Sequence, residues 1–310
     1  ERHSYFDEFA LTRFTADAAA GNGVSAQQVL DQVRSELDNP TRIVLAGRLG
    51  GRQQYSTPEI RAQEQEVLVT ADAMSAGCTH KVSFASICSR LSLNTLSTAR
   101  DWLTLDSDPS LKEDQRTAIK SIAQHSGQLA LLLTPSGTAK HDTLGPLAEF
   151  YRASGHGVLG IATTGNGVRR LAEEANIPAL PLRTLLNFTD RDHSLAAGVK
   201  HAAKQLVREA VGRYIGLYPY QRQPFLDRNT VLIVDQAQKI STPDMARLLH
   251  NAQRSGAKVL LVGDPEGLQC IERGAPFVAF SRRLQAATLT EIVRPEHPQD
   301  ARNLASIRAG

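Results

Sequence analysis

The sequence predicts an α/β fold built on a parallel β-sheet. After residue 110, short apolar runs alternate with segments of helix length. Runs that are apolar at every position are typical of strands buried on both faces, and strands separated by helices are typical of parallel pairing. The runs are LALLL (129–133), GVLGIA (157–162), TVLIV (230–234) and KVLLV (258–262). We therefore predict a core of RecA type, with a P-loop NTPase fold, over residues 111–285.

The first 110 residues predict a small, mostly helical domain. Ser25 is a suitable N-cap for an amphipathic helix carrying Val29 and Val33, and Thr57-Pro58 begins another helix. Between them, the segment around Gly50-Gly51 alternates as two strands of a hairpin do. The order helix, helix, hairpin, helix resembles a winged helix. Such a unit either binds DNA or serves as a packing module with a basic edge, here formed by Arg42, Arg48 and Arg52.

A charged helical stretch near 188–228 interrupts the strand-helix alternation and predicts an insertion on the core. It combines tyrosines with Lys200, Lys204 and Arg208. Cations and aromatic rings together can hold phosphates and stack bases, so the stretch is a candidate DNA-binding segment. A solvated amphipathic helix is the alternative interpretation.

Composition sets broad limits on function. The net charge of +3 over 310 residues permits a nucleic-acid partner without requiring one. Three widely spaced cysteines indicate neither a zinc site nor a disulfide framework. No apolar run approaches the length of a membrane span, and the N-terminus is charged. We expect a cytoplasmic protein with no membrane insertion and no metal site.

The loop after the first apolar run occupies the position of a phosphate-binding P-loop. It reads TPSGTAKH over residues 134–141, in which only Gly137 and Lys140 fit the pattern GxxxxGK[ST]. Pro135 removes a backbone donor, and His141 offers an imidazole where Mg²⁺ requires a hydroxyl oxygen. We predict a compromised phosphate cradle.

The strand ending at Asp235 occupies the position of a Walker B motif. Its carboxylate would hold Mg²⁺ through water, and the next residue would be the base that activates the attacking water. That residue is Gln236, whose amide cannot take a proton near neutral pH. Either departure alone would mean little. Both occur at the expected positions of one α/β pattern, and together they are informative.

The order of the motifs resembles the RecD-like superfamily 1B helicases, and among them the helicase-like parts of conjugative relaxases of the TraI and TraA type. The resemblance begins near residue 55 and covers nearly all of the following chain. It rests on YSTPEIRAQEQEVL (55–68), LKEDQRTAI (111–119), IATTGNGVRRLAEEANIPA (161–179), VLIVDQAQKISTPDMARLL (231–249), GDPEGLQCIERGAPF (263–277) and LTEIVRP (289–295). The last segment would begin a second, truncated RecA-like domain at residues 286–310.

The departures from the family pattern concentrate at nucleotide chemistry. Besides the P-loop and Gln236, they include Gly267 and Pro295 in place of glutamines. Asp264 and Arg294 lie where the family senses the γ-phosphate. The pattern is similar to the degenerate helicase unit of the relaxase-helicases of F-like plasmids.

The resemblance implies that this region has no cofactor and is not catalytic, with ATP and Mg²⁺ expected only for an active helicase domain elsewhere in a parent DNA relaxase and helicase. It implies single-stranded DNA as a partner, with a type IV secretion coupling protein and relaxosome proteins as further candidates. The protein would act in the donor cell, and transfer to the recipient is an alternative.

The turn after the second apolar run is the candidate DNA contact. Backbone amides and hydroxyls of Thr163, Thr164 and Asn166 at a helix start can take a phosphate, and Arg169 and Arg170 add charge. The alternative is a simple capped connection between strand and helix.

Three functions follow from these observations. The leading hypothesis is DNA binding without ATP turnover. The second is a recruitment module recognised by a coupling protein, with no DNA binding of its own. The third is an active 5′-to-3′ helicase, which would require the P-loop hydroxyl and the Walker B glutamate that the sequence lacks.

Overall fold

The computed structural model describes residues 5–78, 111–135, 138, 140–191, 226–268, 270 and 274–291. Its N-terminal part has the predicted order of helix, helix, hairpin, helix. Asp7, Ser25 and Thr57 cap the three helices with their side chains. Gly50 and Gly51 turn the hairpin with φ of 58° and 80°, a conformation that glycine adopts without strain. The elements are α1 (Glu8–Ala19), α2 (Ala26–Leu37), β1 (Val44–Leu49), β2 (Arg52–Ser56) and α3 (Pro58–Ala76).

The remaining described residues form one six-stranded sheet with helices on both faces. Its strands are β3 (Leu129–Leu133), β4 (Gly157–Ala162), β5 (Ala179–Pro181), β6 (Thr230–Asp235), β7 (Lys258–Gly263) and β8 (Ala286–Thr288). The order is β5-β4-β6-β7-β3-β8, and every pairing is parallel. The helices are α4 (Glu113–Gln124), α5 (Lys140–Ala153), α6 (Gly165–Glu173), α7 (Leu182–Arg191), α8 (Thr242–Ser255) and α9 (Pro276–Arg283). The predicted α/β fold of RecA type is confirmed.

The strands are apolar throughout because both faces of the sheet are covered. In β3, Ala130 and Leu132 lie in the core beneath α4, α5 and α6. The alternate residues Leu129 and Leu131 lie in the core beneath α3, α7, α8 and α9. Side chains alternate between faces along a strand, so a continuous apolar run serves two cores at once.

The predicted domain boundaries need correction. Helix α3, assigned to residues 1–110, places Val67, Ala71 and Met74 in the core against the sheet. The Arg283 guanidinium also holds the Asp72 carboxylate, with Nε 2.9 Å from both oxygens. The boundary at 110 therefore does not separate two cores, because the apolar face of α3 packs against β3, α8 and α9.

A second correction concerns residues 286–288, assigned to the start of a second RecA-like domain. They form β8 and pair with β3 in the first sheet. The physical reason is that β3 would otherwise present an unpaired edge of backbone donors and acceptors. At the predicted insertion near 188–228, residues up to 191 complete α7, and residues 192–225 lie outside the described part of the chain.

Two buried polar side chains donate hydrogen bonds to loop carbonyl groups at the amino ends of the strands. Lys258 Nζ donates to the carbonyl oxygens of His125 at 2.6 Å and Gly127 at 2.7 Å. Gln128 Nε2 donates to the carbonyl oxygens of Ala252 and Ala257 at 2.6 and 2.8 Å. These bonds satisfy loop carbonyls that the fold removes from water. Within the described ranges, no helix has the length and apolar character needed to cross a membrane.

Candidate functional site

The carboxyl ends of the parallel strands bring the predicted nucleotide-site residues to one edge of the sheet. Asp235 ends β6, and Asp264 directly follows β7. Lys140 is the first residue of α5, which follows the loop after β3. Ligands of open α/β sheets bind at this edge. The three residues are far apart in the sequence, and the sheet brings them together.

Lys140 and Asp235 form an ion pair between Nζ and Oδ1. The side chain of Asp235 is 1% exposed and that of Lys140 is 21% exposed. Oδ1 also accepts a hydrogen bond from the backbone N–H of Gln236 at 2.8 Å. The two charges that would face phosphate and metal in a nucleotide site therefore face each other.

His141 lies between this ion pair and helix α6. Its Nδ1 is 2.8 Å from Oε2 of Glu174, the residue that caps the end of α6. Its Nε2 is 3.9 Å from Oδ2 of Asp235, which is beyond hydrogen-bond distance. Burial, and then the charge of Lys140, lower the pKa of His141, while the carboxylates of Asp235 and Glu174 oppose that shift. The ring is therefore held mainly in its neutral form near pH 7.

Gln236 and Gln238 shape the loop after β6. Gln236 adopts the left-handed conformation with φ 55° and ψ 45°, which is uncommon for a residue with a Cβ. Gln238 Oε1 accepts a hydrogen bond from the backbone N–H of Asp264 at 3.3 Å. The amide side chain of Gln238 thus joins the ends of β6 and β7.

Gly263 is the last residue of β7 and has no side chain. The side chain of Gln238 occupies the space beside it. A Cβ at this position would lie 2.5 Å from Oε1 of Gln238 and 3.0 Å from Cε1 of the buried Phe277 ring. We expect Gly263→Ala to lower the free energy of unfolding by about 1–3 kcal/mol, as overpacking of a close-packed site does. Urea denaturation measures the change.

Gly157→Ala is the matched control for this substitution. Gly157 begins β4, and a Cβ there would meet no atom within 4 Å. The same chemical change should therefore alter stability by less than about 0.5 kcal/mol. Equal effects of the two substitutions would contradict the role assigned to the space beside Gln238.

The candidate DNA contact lies at the start of α6, next to the same edge of the sheet. Thr164 caps the helix, with Oγ1 accepting from the backbone N–H of Gly167 at 3.1 Å. Gly167 is buried, and a Cβ there would lie 2.8 Å from Cβ of Ala162, so a larger residue would not fit. Asn166 is exposed and Thr163 is half-buried. The capped connection is present, and the exposed helix start leaves backbone N–H groups accessible to an anion.

Arg169 and Arg170, two of the arginines predicted to contact DNA, are exposed on α6. Arg169 Nε is 3.8 Å from Glu173, and Arg170 Nε is 3.9 Å from Glu174. Exposed pairs at such distances are weak, so a phosphate can compete with the carboxylates. The arginines are thus available to an anion, although each has an acidic neighbour.

Five of the predicted site residues lie outside the described part of the chain: Gly137, Lys200, Lys204, Arg208 and Arg294. The sequence interpretation missed two residues of the site, Glu174 and Gln238. For Glu174 the only signal was a carboxylate four residues after Arg170, which predicts an i,i+4 pair and not a contact with His141. Nothing in the pattern of residues indicated the contact of Gln238.

The AAA domain family matches residues 110–310, which is well over half of the chain. The chain belongs to this family. The matched range contains the whole six-stranded sheet and every residue of the candidate site described above.

Over 184 residues, this chain is 31% identical to a probable conjugal transfer protein TraA of Sinorhizobium fredii and 30% identical to a conjugal transfer protein TraA of Rhizobium radiobacter. An ATP-dependent RecD2 DNA helicase of Deinococcus radiodurans is 28% identical over the same length. These matches cover 59% of this chain but 14% of each TraA protein and 22% of the helicase. The chain contains a RecD-like helicase-type domain related to conjugal transfer proteins, as the sequence resemblance implied.

The AAA domain family implies a nucleotide with Mg²⁺, and the residues present can be tested against that ligand. Mg²⁺ takes oxygen ligands in near-octahedral geometry. His141 offers an imidazole nitrogen, and Asp235 is already engaged with Lys140. An imidazole suits zinc, copper, nickel and iron better than magnesium. Among the described residues, position 141 therefore does not offer the oxygen ligand that Mg²⁺ takes.

Proposed function

We propose that this AAA domain is an ATP-independent single-stranded DNA-binding module of a conjugative relaxase-helicase. The main support for the proposal is the ion pair between Lys140 and Asp235. The two charges that ATP hydrolysis would need, one facing phosphate and one facing the metal, are paired with each other. With His141 in place of a hydroxyl and Gln236 in place of a base, the cleft serves as scaffold. DNA would bind to a helicase-type fold without being translocated.

The start of α6 is the proposed contact with the DNA backbone. Its accessible N–H groups, around Asn166, lie at the positive end of the helix dipole, which favours a phosphate. Arg169 and Arg170 add two exposed guanidinium groups within the same helix, with side chains 66% and 61% exposed. Contacts of this kind position a strand without reading its sequence.

The relationship to conjugal transfer proteins supports a parent protein that acts in plasmid transfer. Within that class we propose the degenerate helicase unit of a TraI-type relaxase-helicase of F-like plasmids, with no cofactor of its own. Recruitment by a type IV secretion coupling protein and contact with relaxosome proteins stay predictions from the resemblance. No surface in the described ranges favours them over DNA binding.

Fluorescence anisotropy with a labelled single strand, at several salt concentrations, tests the proposal. We expect salt-sensitive binding that ATP and Mg²⁺ leave unchanged. The double substitution Arg169→Ala/Arg170→Ala should weaken binding and flatten the slope of log affinity against log salt by about 1.4, at about 0.7 per lost phosphate contact on a single strand.

Arg61→Ala/Arg247→Ala is the matched control. It also removes two exposed arginines that each lie near a carboxylate, but they belong to α3 and α8, on the face of the sheet opposite α6. The two double variants change the net charge equally, so only a local contact separates them. An equal loss of affinity in both would refute the α6 contact. Absence of binding at low salt, or ATP hydrolysis by this chain, would refute the proposed function.

A further inference from the structure

An open pocket lies between the start of α1 and strand β2, in the N-terminal elements. Its volume is about 440 Å³, and Phe9, Gln53 and Tyr55 are among the residues that line it. Pockets for small ligands begin at about 300 Å³ and combine aromatic walls with a few polar groups. Helix α1 contains no buried residue, and Phe9 is 68% exposed. The ring of Phe9 is therefore accessible to a planar ligand.

The backbone of β2 offers this pocket one hydrogen-bond donor and one acceptor. At the outer edge of the strand, Tyr55 exchanges two backbone hydrogen bonds with Phe6, at 2.8 and 3.0 Å. Alternate residues of a strand direct their backbone groups to the same side, so the N–H and C=O of Gln53 also point outward. The chain has entered α1 by Glu8, and Gln53 has no backbone partner on that side among the described residues. Both groups are open to a ligand.

The side chains at this edge are held in place by each other. The rings of Phe6 and Tyr55 stack with their centroids 6.3 Å apart. The Tyr55 hydroxyl donates to Oε1 of Gln53 at 2.6 Å, which leaves the NH₂ group of that amide as a further donor. The pocket thus combines an accessible aromatic face with fixed polar groups, which suits a flat ring that has hydrogen-bonding groups on its edge.

An extended peptide is the other ligand that an open strand edge can take, and this edge is too short for it. Peptides that add to a sheet gain affinity from a row of main-chain hydrogen bonds. Here Tyr55 is already paired with Phe6, and Gly51, the next outward position on the other side of Gln53, belongs to the hairpin turn. One residue alone is open within the described edge. A nucleobase needs no more than one such donor and acceptor.

The charges around the pocket favour a base inside it and phosphates outside it. Glu8 lines the pocket, and its carboxylate repels a phosphate. The carboxylate of Asp7 is paired with Arg52, at 3.2 Å. The Arg52 side chain is nevertheless 71% exposed, and Arg48, directly opposite Gln53 in the hairpin, is exposed as well. Two guanidinium groups are therefore available to the phosphates on either side of an inserted base.

We propose that this pocket holds one nucleobase of a bound single strand, stacked on Phe9 and hydrogen-bonded to the backbone of Gln53. Arg48 and Arg52 hold the adjacent phosphates. The site rests on the DNA binding proposed above, and it adds a base contact to the phosphate contacts of α6. Because every base has a flat face, stacking of this kind tolerates any sequence.

Phe9→Ala tests the site in the anisotropy experiment with a labelled single strand. We expect the affinity to fall about 5-fold to 150-fold, as the loss of one stacked base does. The slope of log affinity against log salt should stay unchanged, because no phosphate contact is lost. Phe9→Trp keeps an aromatic face and should retain the binding. Phe14→Ala is the matched control, since it removes a ring from the same helix that is 71% exposed and does not line the pocket.

The outcomes separate this site from DNA binding as such. If Phe9→Ala binds the strand as tightly as the wild-type chain, or if both alanine variants lose affinity equally, the pocket holds no base, and DNA binding itself stands. If the wild-type chain binds no strand at low salt, the proposed function fails and this site fails with it. Titration with deoxyadenosine monophosphate tests the other source of a base. Binding of that free nucleotide as tight as binding of the strand would make the pocket a nucleotide site and overturn the DNA contact.

Discussion

Lys140→Met is expected to lower the free energy of unfolding by about 3–5 kcal/mol, because it leaves the Asp235 carboxylate buried without its cation. Asp235 ends a strand whose residues are all buried, and its side chain is 1% exposed. Among the described residues, the backbone N–H of Gln236 would be the remaining hydrogen-bond partner of Oδ1. Urea denaturation with a two-state fit measures the loss.

A double-mutant cycle isolates this ion pair from the loss of the lysine side chain itself. Asp235→Asn alone leaves the charge of Lys140, which is 21% exposed and can reach water, so it should cost less. The double variant Lys140→Met/Asp235→Asn contains no buried charge and should recover much of the stability lost in Lys140→Met. A loss below about 1 kcal/mol in Lys140→Met would contradict the burial of this charge.

The sheet could be predicted from the sequence because burial on both faces leaves an unambiguous pattern. Each of the four apolar runs became a strand at the predicted position, with β6 and β7 one residue longer than the runs. Strand β8 was harder to place, since three residues, Ala286–Thr288, carry too little pattern to show which sheet they join. Pairing with β3 depends on the free edge of that strand, which sequence alone does not reveal.

The meeting of Lys140 and Asp235 could also be anticipated, because parallel strands bring their carboxyl ends to one edge. The contact between His141 and Glu174 could not. It joins the start of α5 to the end of α6, and it depends on how closely the two helices pack against β4. The role of α3 was not predicted for a similar reason. Besides β3, this helix packs against α8 and α9, which are more than 150 positions away in sequence.

The buried Lys258 predicts a second large effect, this one dependent on pH. Burial lowers the pKa of Lys258 from 10.5 to about 8. Below about pH 8 the lysine is charged in both states, and the folded protein bears the full cost of a desolvated charge. Between about pH 8 and 10.5 the folded state releases its proton first, so the unfolded state binds more protons and stability rises with pH. At 1.36 kcal/mol per pKa unit, the gain is about 3 kcal/mol.

Comparison with Lys258→Met separates this gain from other alkaline titrations. Burial raises the pKa of the Tyr151 hydroxyl, which works in the opposite direction above pH 10, but Tyr151 is common to both proteins. The variant loses the hydrogen bonds to His125 and Gly127 at every pH, so that loss shifts its stability without changing the slope. We expect the stability of the wild-type chain relative to Lys258→Met, from urea denaturation, to increase steadily across this window. A difference that stays constant with pH would mean that Lys258 keeps an ordinary pKa, and that its two carbonyl contacts offset the cost of burying its charge.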